Sequence, residues 1–341
     1  MAKTRLTIND IATSLNISKT AVSFILNGRA KEKGISDKLV IKVHKKIKEL
    51  GYRPNQFAQG LRTGRTNIIG LMVEDISNPF FASIAKEIED KALQNNYKIV
   101  YCSTENDRDR AKEFLNMFTT LGVDGCIIAP TMGMEDDIKE LMNNGMDVVL
   151  FDRKFKNISN DVVMVNNEEG TYNAIKHLVD RGYKKIAMIA LALGKAEKEA
   201  RIIGYKDAVA EFGLETHVFP LPFKAKYKDY VEDIGQIIKD NPDFDAILFG
   251  TNYLGISGLE AINDLGLEIP KDLAIVSFDD HDLFRIHKPK ITVVSQPIEE
   301  ISQTVIDTLL DRLKSTKKDA SKKSITLSAT LIERESTAAK S

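Results

Sequence analysis

Hydrophobic positions follow two different rhythms along the chain. Over the first fifty residues they recur at helical spacing. Ile8, Ile11, Ala12 and Leu15 fall at i, i+3, i+4 and i+7. Thr7 followed by Asp10 resembles a capping box at the start of this stretch, with Asp in place of the usual Glu or Gln. Ala21, Val22, Ile25 and Leu26 make a second apolar face behind Ser18, an N-cap residue type. Leu39, Val40, Val43, Ile47 and Leu50 make a third behind Ser36, and Gly51 ends it. The pattern predicts three short helices, with a polar loop over 27–35. Residues 53–62 open with Arg53-Pro54-Asn55, and proline suits the first turn of a helix. Two turns are marginal in water without a partner surface, and Gly60 weakens them by ~1 kcal/mol relative to Ala. Residues 63–66 read as a linker.

From Asn67 short apolar runs alternate with amphipathic stretches. Strands are expected at 68–73, 98–102, 125–129, 148–151 and 162–165, with helices at 79–96, 107–121 and 136–144 between them. A second series runs through helix 168–181, strand 186–189, helix 201–212, a less regular stretch, helix 230–239, strand 246–249, helix 256–265 and strand 273–277. Strand 291–295, helix 298–313 and strand 325–331 complete the pattern. Such alternation implies parallel, doubly wound sheets, and two series imply two lobes. Ligands of these folds bind at the carboxyl ends of the strands. The expected fold class is an α/β core of two doubly wound parallel-sheet lobes behind an N-terminal all-α domain. The expected boundaries are 1–52 for the head, 53–66 for a short helix and linker, and 67–341 for the core. Within the core, lobe one spans about 67–165 plus 296–325, and lobe two about 166–295 plus 326–341.

Composition narrows the classes. A chain of 341 residues, 43% hydrophobic and 28% charged, is an ordinary globular protein, not a disordered, collagenous or disulfide-built one. The net charge of −1 conceals a division. Residues 1–65 hold fourteen Lys/Arg and four acids, a net of +10, and the remainder is −11. A basic head on an acidic body points to a polyanion, although a solvated lysine-rich helix gives the same count. The longest apolar run, Ile186 to Leu193, is far short of the ~18 residues that cross a bilayer. The N-terminus lacks the apolar stretch of a secretion signal. Cys102 and Cys126 read as buried thiols in a reducing cytoplasm, with a disulfide between them left open. A cytoplasmic protein without a membrane partner is expected.

The three-helix head has helix-turn-helix spacing. If its second helix enters a major groove, Lys19, Thr20, Ser23 and Phe24 lie off the apolar face and meet the bases. Lysine can donate to guanine, threonine can bond either way or touch a thymine methyl, and phenylalanine makes apolar contacts only. Ser18, beside the free N–H groups of the helix start, suits a phosphate. A small helical docking domain would carry the same pattern.

Several motifs resemble the lactose/galactose repressor (LacI/GalR) family. They are Thr7-Ile8-x-Asp10-Ile11-Ala12, Ile17-Ser18-x-x-x-Val22-Ser23-x-x-Leu26-Asn27, Gly51-Tyr52-x-Pro54-Asn55, Ile69-Gly70, Asn78-Pro79-Phe80-Phe81, Val123-Asp124-Gly125, Phe278-Asp279-Asp280, Thr292-Val293-x-x-x-Pro297 and Leu331-Ile332-x-Arg334. They lie in order over nearly the whole chain. The resemblance implies a DNA-binding head, a hinge helix, a periplasmic-binding-protein-like core and a homodimer on a near-palindromic operator. By position it makes Leu61 a wedge between base pairs in the minor groove, with Asn55 and Ala58 facing the groove or the partner hinge; a linker leucine packed on the core is the alternative for Leu61. It adds Thr7 and Asn27 to the DNA-binding set. Two residues depart from the pattern. Phe24 stands where the family often has Arg, which argues against a guanine contact there, and Gly60 loosens the hinge.

The same resemblance places Phe80, Phe81, Asp152, Arg153, Arg201, Asn252, Asp279 and Gln296 around a small-molecule effector. Aromatic faces suit a sugar ring or base, and Arg, Asn and Asp suit vicinal hydroxyls. Structural alternatives stand beside these roles: Asp152 and Arg153 as a lobe-to-lobe ion pair, Asn252 as a helix cap, one of Phe80 and Phe81 as core. Tyr253 occupies a position where many sugar-binding members carry Asp. No G-x-S-x-G, phosphate-binding loop, H-E-x-x-H or dinucleotide fingerprint occurs, and the five histidines show no metal-like pairing. Neither catalytic residues, nor a metal, nor a cofactor is expected. The expectation is a ligand-responsive repressor whose effector is a sugar or sugar derivative. A solute-binding receptor without DNA function, or a nucleotide-sugar or NAD enzyme, is the alternative.

Overall fold

A computed structural model describes residues 6–52, 65–192, 199–224, 226–315 and 321–340. The chain divides into two compact units, Met1–Thr66 and Asn67–Ser341.

The first unit is a trihelix: α1 (Ile8–Leu15), α2 (Lys19–Leu26) and α3 (Asp37–Leu50). Each start is fixed by a side chain that satisfies or braces the first turn. The backbone N–H and hydroxyl of Thr7 both donate to Asp10, at 2.7 and 2.8 Å. Ser18 Oγ accepts from Ala21 N, and Ser36 Oγ from Leu39 N. Asn16, in the left-handed region at φ 51°, makes the turn between α1 and α2, and Gly51 at φ 63° ends α3. Ile11, Val22, Ile25 and Val43 close a core that also takes in Tyr52. Each such aliphatic side chain contributes roughly 1.5–3 kcal/mol on burial.

The second unit holds two six-stranded sheets. Its chain order begins β1 (Ile68–Val73), α4 (Pro79–Gln94), β2 (Lys98–Ser103), α5 (Arg108–Leu121), β3 (Gly125–Ile128), α6 (Glu135–Asn143), β4 (Asp147–Phe151) and β5 (Asp161–Val165). It continues with α7 (Asn167–Asp180), β6 (Ile186–Leu191), α8 (Ala200–Glu211), β7 (His217–Leu221), α9 (Val231–Asp240), β8 (Ala246–Phe249), α10 (Asn252–Asp264), β9 (Ala274–Phe278) and α11 (Asp282–Ile286). It closes with β10 (Thr292–Ser295), α12 (Ile298–Lys314), β11 (Ser324–Leu327) and β12 (Thr330–Ile332).

Lobe one is the sheet β11-β5-β4-β3-β1-β2, parallel throughout. Helices α4 and α12 cover one face, and α5 and α6 the other. Lobe two is β12-β10-β9-β8-β6-β7, parallel except for β12, which runs antiparallel to β10. Its faces are covered by α7 and α8 on one side and by α9, α10 and α11 on the other. Helices on both faces of each sheet make both lobes doubly wound, as the alternation of strand and helix predicts. The chain passes between the lobes after β5, after β10 and after β11.

Four elements differ from their sequence-based expectation. The expected strand 325–331 is two strands: β11 pairs with β5 in lobe one, and β12 pairs with β10 in lobe two. The alternation of apolar and polar residues continues without a break from Ile325 to Leu331, and that hides the crossing. The less regular stretch contains β7, whose pattern is broken by Pro220. Proline is tolerated there because β7 is the edge of its sheet. Helix α10 begins at Asn252, four residues early, where the Thr251 side chain caps it, and Gly255 and Gly258 let it lie against Ser277 and Phe249. A Cβ at Gly258 would come 2.2 Å from the Phe249 ring. Helix α11, five residues long, is too short to show a period.

Candidate functional site

On the head, α2 presents one face outward. Val22 and Ile25 are buried, Lys19 and Thr20 are exposed, and Ser23, Phe24 and Asn27 are half-buried on the same side. Asn27 caps the helix end by donating to the Ser23 carbonyl, and its Nδ2 lies 3.3 Å from Ser23 Oγ. Phe24 is not a bare apolar tip. The Lys33 ammonium is 5.5 Å and the Arg29 guanidinium 6.0 Å from its ring centroid, so the ring gathers two cations from the following turn. With Ser18 Oγ taking Ala21 N, the N–H groups of Lys19 and Thr20 open the helix toward solvent, a geometry that suits an anion. Thr7 lies at the N-terminus of α1, engaged with Asp10, whose carboxyl is held below its ordinary range first by the Thr7 backbone N–H. Asn55, Ala58 and Leu61 lie outside the described residues.

In the core, a cavity of about 780 Å³ opens between the carboxyl ends of both sheets. Phe80, Phe81, Asp152, Arg153, Arg201, Asp279 and Gln296 all line it. Asn252 does not. It is buried one side chain behind the wall, where its Nδ2 donates to Asn78 Oδ1 at 3.0 Å, a bond from lobe two to lobe one. Its Oδ1 accepts from Tyr253 N, while the N-cap of α10 is Thr251.

Each lining residue is aimed by its element. Asn78 caps α4, and Pro79 opens it, so that Phe80 and Phe81 fall in the first turn. The rings meet edge-to-face at 5.0 Å, and both are core as well as wall. Asp152 follows β4 and Asp279 follows β9, strands that hold equivalent places in the two sheets. Both residues sit in the left-handed region, at φ 66° and 63°. Backbone of this kind costs a non-glycine residue on the order of 1–3 kcal/mol and is held in place only by its surroundings. Arg153 is locked within lobe one, not bridging the lobes. It donates to Glu74 (2.6 Å), Asn106 Oδ1 (2.8 Å) and the Pro130 carbonyl (3.4 Å). Burial disfavours its charge, but Glu74 and Asp152 outweigh that and keep it protonated more firmly than an ordinary arginine. In lobe two, Arg201 lies over the Phe278 ring at 4.2 Å and donates to the Gly250 carbonyl. Asp279 accepts from Gln296 Nε2 at 2.6 Å. Burial raises the Asp279 carboxyl above its usual value, opposed by Arg201 and by that hydrogen bond.

The sequence reading missed Glu74, Asn78, Asn167 and Glu199, all on the wall, and gave Tyr253 no place in the site. Glu74 and Asn167 sit just past β1 and β5, so the carboxyl-end rule signals them. Glu199 stands just before α8, well past the end of β6, and has no such signal. Three buried side-chain polar atoms among the described residues lack a hydrogen-bond partner: Tyr253 Oη, Asn167 Oδ1 and Asn106 Nδ2. The first two are on cavity-lining residues, and the third belongs to the amide that holds Arg153. The approach of Tyr253 Oη to Thr251 falls short of hydrogen-bond geometry. Tyr253 Oη and Asn167 Oδ1 are thus two unsatisfied polar atoms on residues of one cavity wall, groups that a bound polar molecule can complete. Among the described residues, no group of His, Cys, Asp and Glu is placed to hold a metal ion, and no helix is long and apolar enough to cross a membrane.

Comparison with known proteins agrees with both halves of this picture. Residues 7–55 match the family of bacterial regulatory proteins, lacI family, and residues 175–337 match the periplasmic binding protein-like domain. The HTH-type transcriptional regulator RegA of Clostridium saccharobutylicum is 32% identical over 97% of this chain and 98% of its own. A LacI family transcriptional regulator from Enterococcus faecium, solved with bound ribose, is 28% identical over 80% of this chain and all of its own, with a TM-score of 0.71. A lac repressor dimer bound to operator and an anti-inducer shares the fold over 98% of this chain and 100% of its own, at a TM-score of 0.82 and 22% identity. The chain therefore belongs to the lacI family of bacterial regulatory proteins, and it is a DNA-binding transcription regulator with a helix-turn-helix head and a two-lobed periplasmic-binding-protein-like core.

Proposed function

We propose that the chain is a repressor that acts as a homodimer on a near-palindromic operator and answers to a sugar or sugar derivative bound between its lobes. The observation that carries the effector half is the cavity at the strand ends, with its unsatisfied polar groups and aromatic wall. In this reading Phe80 and Phe81 pack on the ring of the ligand. Asp152, Arg153, Arg201, Asp279 and Gln296 meet its hydroxyls, and Asn252 positions Asn78. The ribose bound by the Enterococcus faecium relative supports the ligand class.

On the head, Lys19, Thr20, Ser23, Phe24 and Asn27 face the major groove, and Ser18 and Thr7 face phosphates. Asn55, Ala58 and Leu61 belong to a hinge over 53–66 that joins the head, 1–52, to the core, 67–341. Effector binding acts on DNA only through its different affinities for the core arrangements that favour and disfavour paired heads. Selection of sites from random duplex DNA with full-length protein, at near-physiological salt, tests the DNA half. One near-palindromic motif is the expected result, and two unrelated half-sites would remove the homodimer. The recovered site then serves as the probe on which sugars are screened for loss or gain of binding.

A further inference from the structure

One large apolar side chain of the head stays outside its core. The cluster that closes the trihelix takes in Ile17, Leu26 and Leu39 among its half-buried members, but not Phe24. Phe24 falls on the outward face of α2, one turn beyond Thr20, with Lys19 and Ser23 on the same side. What lies over its ring are cations from the turn that follows the helix. Lys33 Nζ is 5.5 Å and the Arg29 guanidinium 6.0 Å from the ring centroid. Arg29 is steadied by Glu32 at 2.8 Å, and the turn is anchored by Ala30, which is buried in the head core.

The chemistry of that ring limits what it can meet in a major groove. A phenyl group neither donates nor accepts a conventional hydrogen bond. Pressed against a base-edge donor or acceptor, it strips water from that group and returns no partner, which is costly. The thymine C5-methyl is the one apolar group that base pairs present in the major groove. A ring on the outward face of α2 therefore fits a thymine and penalises a polar edge in the same place. The cations beside the ring suit the phosphates that flank such a base.

We infer that Phe24 reads a thymine in each half of the operator, through the methyl group, with Arg29 and Lys33 on the flanking phosphates. The inference rests on the reading of the head as an operator-binding element whose α2 enters the major groove. It makes Phe24 a determinant of which operators the protein accepts. Burial of one methyl group is expected to change affinity by about fourfold in a single half-site, and by about fifteenfold when both halves are changed.

Replacement of thymine by deoxyuracil, one position at a time in the operator recovered by site selection, tests it. The change removes the methyl and leaves every hydrogen-bonding edge as it was. Affinities are measured with full-length protein at one fixed salt concentration. The expected result is a thymine in each half-site at which deoxyuracil weakens wild-type binding by about fourfold and changes nothing in Phe24→Ala. With a C·G pair at that position, a 5-methyl group on the cytosine is expected to strengthen wild-type binding by a similar factor. A wild type indifferent to every thymine methyl overturns the inference while leaving the DNA reading intact. A methyl effect that persists in Phe24→Ala and disappears in Thr20→Ser assigns the methyl to Thr20 and overturns it equally. If the melting curve shows that Phe24→Ala does not fold, Phe24→Gln, which keeps a long side chain but not an apolar one, takes its place with the same expected loss. Recovery of no specific site overturns the reading of the head, and the inference with it.

Discussion

Asp279 shows how much one residue carries in this cleft. It is buried, it sits at positive φ, and Gln296 and Arg201 hold its charge in place. Asn tolerates the same backbone and keeps one acceptor. Asp279→Asn is therefore expected to melt within a few degrees of the wild type yet to lose most of its effector response on operator DNA. Asp279→Val adds backbone strain and is expected to cost a further ~1–3 kcal/mol in thermal unfolding. On the head, Lys19→Ala is expected to weaken operator binding and to relax specificity at one base position, read by competition with operator variants. Equal weakening on every sequence would make Lys19 a phosphate contact. The family resemblance made Asp152 and Arg153 visible as a pair. It could not show that Arg153 bonds chiefly to Glu74, which is 79 residues away in the chain. Partners that distant are set by the topology, not by spacing.

At the scale of elements, capping residues made helix starts legible: Ser18 and Ser36 each accept the expected backbone N–H, while Asn78, not read as a cap, and Asp107, inside the expected helix, prove to be caps as well. What stayed hidden were contacts between elements. Helices α7 and α8 meet at Gly204, where an added Cβ would lie 2.0 Å from the Glu168 carbonyl oxygen, a backbone atom that cannot swing aside. Gly204→Ala is expected to destabilise the core by roughly 2–4 kcal/mol, measured by denaturant unfolding. It should also weaken effector binding, because α7 carries Asn167 and α8 carries Arg201.

A second contact between elements is sensitive to pH. His177 on α7 is buried and shares a 2.8 Å hydrogen bond with Thr337, while Glu333 lies 3.6 Å from its other nitrogen. Burial lowers its pKa below the ordinary 6.5, opposed by Glu333. The unfolded chain thus takes up the proton first. The stabilising contribution of neutral His177 is complete above pH 6.5 and is lost as pH falls below that value toward the folded pKa. His177→Gln is expected to flatten the slope of stability against pH in that window.

Across the whole molecule the two lobes repeat one another. Glu74, Asp152 and Asn167 leave the ends of β1, β4 and β5, and Asp279 and Gln296 leave β9 and β10, the counterparts of β4 and β5. Alternating strand and helix made that duplication readable, together with the switch from a helical head to an α/β core. The chain order of β11 and β12 was not readable, since nothing local separates one long strand from two short ones in different sheets. Head and core form separate compact units, so full-length protein is expected to unfold in two calorimetric transitions. A saturating effector should raise the core transition alone, by about 2.7 kcal/mol at a hundred times Kd. A shift of both transitions would show that they unfold as one.

Because β11 and β12 fall at 324–332, each sheet receives an outermost strand only after translation has passed residue 324. The head is complete some 270 residues earlier. A nascent or C-terminally nicked chain therefore carries a finished DNA-reading element attached to two open sheet edges, the kind of surface that recruits other strands. Quality control of such chains would act on the core, and its failure would release a head that could occupy operators without answering to the effector.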